Sequence, residues 1–312
     1  SIWLILLTPL FLVSYYITYW VLENLESLIN KNDFVQFVIP FQIKHFKYVV
    51  GPFGGLILIT ISCLLLEAKV VGLDKSSIGR LINPNTANRK TDLYYLILRI
   101  TGFNYILSII FSFGTVYIFY VIVNKNLNLR ILDGAPFVIE MTVLFFVNTF
   151  SYYWSHRIMH TKYFWRFHRI HHAAEEMNMV ITHRNHPIEY AAIRLTDAVP
   201  SAILGASFEA IIFYVFLNGV YQQLVHCDMK WKKTFINSIL LTPGHHRIHH
   251  GKDKKYYNTN LGVTIFWEKL FGTYHDEVNE PVEIGLDDHV MNKGNPIREM
   301  FDVLHKNVRS GC

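Results

Sequence analysis

Charge is scarce in this chain of 312 residues. Asp, Glu, Lys and Arg make up 17% of it, against 51% hydrophobic residues and 15% Phe, Tyr and Trp. That balance argues against an ordinary soluble domain and reads as an enzyme or channel held in a membrane. Cysteine is scarcer still: Cys63, Cys227 and Cys312 are far apart and odd in number, so neither a disulfide framework nor a thiolate metal knuckle is expected. No Rossmann-type glycine fingerprint and no haem-binding module are found, and electrons for any redox reaction must come from outside the chain. The pattern "HExxH" is missing too, which removes the carboxylate base of a zinc hydrolase. The formal net charge of +5 does not point to a nucleic-acid partner, because the basic residues flank apolar runs and no recognition module accompanies them.

Long apolar runs are what the chain has in quantity. Spans are expected at 2–22, 49–66, 94–123 and 136–153, and the opening "IWLILLTPLFLVSYYITYWVL" is longer than a signal-peptide core, so it reads as a retained span. A further apolar stretch, 198–225, is interrupted by Pro200, Gly205 and Gly219 and is either a re-entrant hairpin or one bent helix. Lys and Arg concentrate in the connections 67–93 and 154–197, which the positive-inside rule puts on the cytoplasmic side. The expected fold is all-α: an integral membrane helical bundle of about four to six membrane-embedded helices with a cytoplasmic, histidine-rich helical cap. It divides into an N-terminal transmembrane region (1–135), a catalytic region (136–275) and a polar tail (276–312).

Histidine is the residue in excess. There are sixteen, and twelve fall between His156 and His250. "HRIMH" places His156 and His160 four apart, and "HRIHH" places His168, His171 and His172 at i, i+3 and i+4, so each box presents its imidazoles on one helix face. The same five letters return at His246, Arg247, Ile248, His249 and His250. A single histidine is usually a satisfied polar residue, but imidazoles crowded together without a cation compete for partners and repel when protonated. Bound metal removes both problems. A catalytic zinc takes about three protein ligands, whereas these boxes offer eight, so two metal ions are expected. Imidazole suits both iron and zinc. Two iron ions working with dioxygen (O2) rank first because a C–H bond needs a redox cofactor, with zinc as a possible substitute.

At these boxes the chain resembles the fatty acid hydroxylase and sterol desaturase superfamily of integral membrane proteins. The similarity runs over about 136–275, through "HRIMH", "HRIHH", "HRNHPIE", "QQLVHCD" and "TPGHHRIHH", and on to "YYNTNLGVTIFWEKLFGTY". It implies a dimetal, O2-dependent enzyme that hydroxylates or desaturates a membrane lipid such as a sterol or fatty acyl chain. The metal ligands it implies are His156, His160, His168, His171, His172, His246, His249 and His250, with His226 brought back by the bent apolar stretch. His186, before "PIE", joins them as a recurring family histidine, and His183 and His245 are weaker candidates. Glu189, Asp276 and Asp288 are read as local charge compensation rather than as supports for a histidine. Asn258 and Asn260 are expected to brace the last box, Gly262 to allow a close approach, and Phe266, Trp267 and Phe271 to pack the cap on the membrane base. Cys227 and Asp228 stand where the family usually has "SN". "TPGHHRIHHGK" with "LFGT" is also similar to the alkylglycerol monooxygenase branch, which makes ether-lipid cleavage the alternative. A transporter or metal-binding scaffold ranks lower because the histidines gather at the ends of apolar segments rather than within them. The implied partners are a lipid substrate, the bilayer, and an external electron donor such as a cytochrome or ferredoxin with its reductase. Lys230, Lys232, Lys233, Lys252, Lys254 and Lys255 can steer an acidic donor. The implied location is a bacterial inner membrane or an endoplasmic-reticulum-type membrane, with the catalytic face cytoplasmic.

Overall fold

The computed structural model describes residues 60–101, 107, 122, 125–127, 129–230, 235–276, 281–286, 291–292 and 295–305. The span expected at 2–22, and most of those at 49–66 and 94–123, lie outside these residues. Among the described residues the chain is helical, without a named strand; two isolated bridges, Leu240 to Thr264 and Gly251 to Ile284, tie down the C-terminal loops. None of the described helices is long and apolar enough to cross a membrane.

A helical stretch over 60–71 leads into α1 (Ser77–Ile82) and α2 (Ala87–Ile100). Ser76 and Thr86 cap these two helices by accepting backbone N–H groups, as short hydroxyl side chains do at helix starts. The longest described helix, α3 (Phe137–Met159), covers the span expected at 136–153 and runs on through the first histidine box. It has two opposite faces. Glu140, Leu144, Asn148 and His156 point inward and are buried, while Val138, Phe146, Phe150, Trp154 and Ile158 are exposed. Both sets repeat at about four residues, the spacing of one helical face.

The short helix α4 (Trp165–His172) follows, then a 3-10 turn over Met179–His183. Helices α5 (Pro187–Leu204) and α6 (Phe208–Val225) come next. The apolar stretch 198–225 is therefore a helical hairpin and not one bent helix. Gly205 ends α5 in the left-handed region, at φ 71°, and Ser207 caps α6; Pro200 sits inside α5 without ending it. Glu140 of α3 fastens the hairpin by accepting the Ser207 hydroxyl and backbone N–H. Packing of α3 along α5, and of α6 against both α3 and α7 (Pro243–His249), brings the ends of these helices to one place. Helices α8 (Ile265–Leu270) and α9 (Pro296–His305) close the cap. Trp267 donates to Thr149 Oγ1, and Phe271 stacks on Tyr153 with centroids 5.1 Å apart. Phe266, expected in the same contact, is 57% exposed.

Candidate metal centre

Four helices deliver their C-terminal ends to the centre of the cap. His156 and His160 finish α3, His168, His171 and His172 occupy α4, His226 follows the last residue of α6, and His246, His249 and His250 finish α7. The carbonyl-rich end of a helix carries partial negative charge, so this arrangement suits a cation.

All nine histidines are buried. They form two groups: His156, His160, His168, His172 and His249 in one, and His171, His226, His246 and His250 in the other, with ligand atoms within 4.8 Å of one another in each. The two "HRIHH" boxes divide reciprocally. The first and last histidines of the α4 box enter group one and its middle histidine, His171, enters group two; the α7 box does the reverse, sending His249 into group one. A helix places i and i+4 side by side and turns i+3 to the flank, and that is enough for each box to serve both groups.

The protonation pattern shows what the groups can hold. Burial lowers the pKa of His156 and His226 to about 4 and holds the other seven well below the ordinary imidazole value, helped by neighbouring imidazoles. All nine rings are therefore neutral at pH 7, with one N–H and one lone pair each. Nδ1 of His156, His226 and His249 faces the carbonyl oxygen of Leu261 (2.5 Å), Gln222 (2.5 Å) and Thr259 (2.8 Å). A carbonyl only accepts, so Nδ1 holds the proton and Nε2 is bare. Nδ1 of His168 donates to Glu189 Oε1 at 2.8 Å with the same result. Two bare nitrogens, Nε2 of His156 and of His168, then stand 2.9 Å apart. In group two, Nε2 of His226 lies 2.8 Å from Nε2 of His246 and 3.1 Å from that of His171. Nε2 of His249 is buried and has no hydrogen-bond partner among the described residues. Converging lone pairs in a dry site are unfavourable unless a cation lies between them, and an all-imidazole donor set fits one borderline divalent metal per group.

Glu189 corrects an expectation. It starts α5, but it also holds His168 and accepts from Asn185 Nδ2 at 3.2 Å, so it supports a histidine as well as compensating a helix end. Burial pushes its carboxyl up to about 8, opposed by Asn185; a cation beside His168 favours the ionised form.

His186 is a second correction, because it lies outside both groups. It is the N-cap of α5: Nδ1 accepts the Ile188 N–H at 3.1 Å, which leaves Nε2 to donate to Met300 O at 3.2 Å. Both nitrogens are thus committed away from the metal groups. The "HRNHPIE" segment acts as a support box, with Arg184 buried against Asp92 at 2.6 Å. His183 and His245 also stay outside the groups; His245 forms a capping box with Thr242 at the start of α7 and faces the Tyr274 hydroxyl. Asp276 receives that hydroxyl at 3.1 Å, and Asp288 lies outside the described residues.

The other expected roles fall as follows. Asn260 Nδ2 donates to the carbonyls of His245 and His275, so it braces the last box. Arg247 donates to Asp228 Oδ1 at 2.6 Å and Arg80 to Asp228 Oδ2 at 2.9 Å, while Arg157 donates to the Tyr153 hydroxyl. Arg169 is buried. Of the aromatic residues beside the first two boxes, Tyr153 and Trp165 are buried, Trp165 against His160 and His172. Lys252 pairs with Glu283 and Lys255 with Asp253; Lys232 and Lys233 lie outside the described residues.

Residues 141–273 match the fatty acid hydroxylase family. The chain is 32% identical over 157 residues to an alkylglycerol monooxygenase of Homo sapiens, covering 50% of this chain and 34% of that protein. It is 28% identical over 146 residues to the ornithine lipid hydroxylase OlsE of Rhizobium tropici, covering 46% and 44%. To methylsterol monooxygenase 2-2 of Arabidopsis thaliana it is 24% identical over 141 residues, covering 43% and 52%. The matched stretch spans only about a third to a half of these relatives' own lengths. No solved structure matches the chain. Family match, relatives and histidine boxes agree in their extent: residues 141–273 are similar to the fatty acid hydroxylase family and to lipid monooxygenases and hydroxylases.

Proposed function

We propose that this chain is a membrane-seated, O2-dependent di-iron oxidoreductase that inserts oxygen into a membrane lipid. The observation that carries the reading is the pair of adjacent, buried, all-histidine groups whose bare ring nitrogens converge. His156, His160, His168, His172 and His249 hold one ion, and His171, His226, His246 and His250 the other. Iron in these groups supplies the redox chemistry that activates dioxygen, which no amino-acid side chain provides.

The protein's own part is positional. Leu261 O, Gln222 O, Thr259 O and Glu189 each hold an Nδ1 proton and so aim an Nε2 lone pair inward. Burial keeps every ligand neutral and keeps water from a reactive site. The balanced reaction takes one lipid C–H, one O2, two electrons and two protons to one C–OH and one water. The electrons come from a separate donor protein. Relatives named as monooxygenases and a hydroxylase support oxygen insertion over alkene formation. The alkylglycerol monooxygenases keep ether-lipid cleavage as the second reading.

The test is mass spectrometry of membrane lipids incubated with iron-loaded protein, O2 and a working electron donor. A lipid gaining one oxygen atom is the expected product. Aldehyde with free glycerol lipid points to ether cleavage, and loss of two hydrogens to desaturation. His171→Ala opens group two and is expected to abolish the product; undiminished turnover in that variant contradicts the ligand assignment.

A further inference from the structure

Glu268 is fully buried in α8 and bonded to none of the nine ligand histidines. Its Oε1 accepts the backbone N–H of Gly262, and its Oε2 accepts the Thr273 hydroxyl at 2.5 Å. The Gly262 N–H and the Leu261 carbonyl belong to the same peptide group. At its other end that carbonyl accepts Nδ1–H of His156. Carboxylate, peptide and imidazole therefore form one hydrogen-bonded chain that ends on a group-one nitrogen.

Each bond in such a chain polarises the next. An amide whose N–H is held by a carboxylate has a more electron-rich carbonyl oxygen, and a stronger acceptor at Nδ1–H makes Nε2 a better donor to metal. His168 receives the same support directly from Glu189. His249 supplies the contrast from within the same loop: its acceptor is Thr259 O, and the N–H at the far end of that peptide, on Asn260, donates to the neutral carbonyl of Thr273.

The loop is built to allow the contact. Gly262 has no side chain where a Cβ would stand 2.9 Å from Glu268 Oε1 and 3.2 Å from the Tyr153 ring. Asn260 holds the left-handed region at φ 52° and is pinned to the carbonyls of His245 and His275. Burial pushes the Glu268 carboxyl up to about 7, opposed by the donors Thr273, Gly262 and Leu261, so it is mostly ionised at pH 8.

We propose that Glu268 is a positioning residue that strengthens His156 as a metal donor through the Leu261–Gly262 peptide group, an inference that rests on the dimetal reading above. Glu268→Gln keeps the size and the accepting oxygen and removes the charge. The probe is Co2+ at pH 8, titrated into metal-stripped full-length protein against a competing chelator, with circular dichroism to check the fold. Parent and variant are expected to have the same helix content, with the variant releasing one of its two ions at about tenfold lower chelator concentration. Equal retention of both ions in the folded variant overturns the inference. A parent that binds no Co2+ overturns the dimetal reading instead. Should Glu268→Gln not fold, nitrogen-15 histidine spectra of the Zn2+-loaded parent decide. The Nδ1 proton of His156 is expected downfield beside that of His168; a position beside His249 and His226 overturns the inference.

Discussion

His186 shows how much a single ring can do outside both histidine groups. As N-cap of α5 it satisfies a backbone N–H that a helix start otherwise leaves open. Asn is a good N-cap, so His186→Asn is expected to keep both ions by elemental analysis, whereas His186→Ala loses roughly 1 kcal/mol or more in denaturant unfolding and also keeps both. Loss of one ion in His186→Asn would restore this residue to the ligands. Burial lowers its pKa to about 4, below the ordinary 6.5, so the unfolded chain takes up the proton first. Its contribution is complete above about pH 6.5 and is lost as pH falls toward 4. His186→Asn should therefore flatten the fall in stability across that window. The eight box histidines were legible as two convergent sets because helical spacing brings imidazoles three and four apart toward one face, whereas His226, alone after its helix, was expected only from the resemblance. His186 was not, because a histidine before "PIE" looks the same whether it caps or ligates. The hold of Glu189 on His168 was hidden for another reason: the two lie 21 residues apart in sequence and meet only through packing.

Helices α4 and α7 repeat the same five letters and share out their histidines in opposite senses, so the relative placement of these short helices determines both groups. Periodicity made each box readable as a helix, but no periodicity says that i+3 of one box joins i and i+4 of the other. Part of that placement rests on Asp228, two residues beyond His226. Its carboxylate is clasped by Arg247 of α7 and Arg80 of α1, and its backbone N–H donates to the buried Glu67. A carboxylate is what two guanidiniums require. The side chain is about a third exposed, which reduces the ion pairs' worth. Asp228→Ala is expected to cost on the order of 1–2 kcal/mol in stability. It should also loosen His246 and His250 against His226, lowering the metal content toward one ion per chain. Two tightly held ions in that variant would show that α7 is positioned without the clasp.

At the scale of the whole molecule, on the proposed lipid-oxidising reading, α3 is the element that would relate the histidine groups to a lipid. Its inner stripe ends in His156 and the C-cap His160, while an outer stripe of Val138, Phe146 and Ile158 is exposed on the opposite side, with the part-exposed Phe150 and Trp154 touching Trp267 and Phe271 at its edge. Exposed large apolar residues repeated along one helix face are costly in water and are explained by an apolar neighbour. A bilayer against that stripe sets the histidine end of α3 level with lipid, the arrangement that a lipid-oxidising reading requires. Polar positions of the C-terminal cap, such as the exposed Lys254, would face water. A nitroxide spin label distinguishes the two environments, in a Cys312→Ser background, since Cys63 and Cys227 are buried. Attached at Phe146→Cys in protein reconstituted into vesicles, the label is expected to relax faster with dissolved oxygen than with a water-soluble nickel complex, because oxygen concentrates in hydrocarbon. At Lys254→Cys the order should reverse. A label at 146 that responds mainly to the water-soluble complex would mean that this stripe meets water, and the route by which a lipid carbon reaches His156 would then have to start from another face.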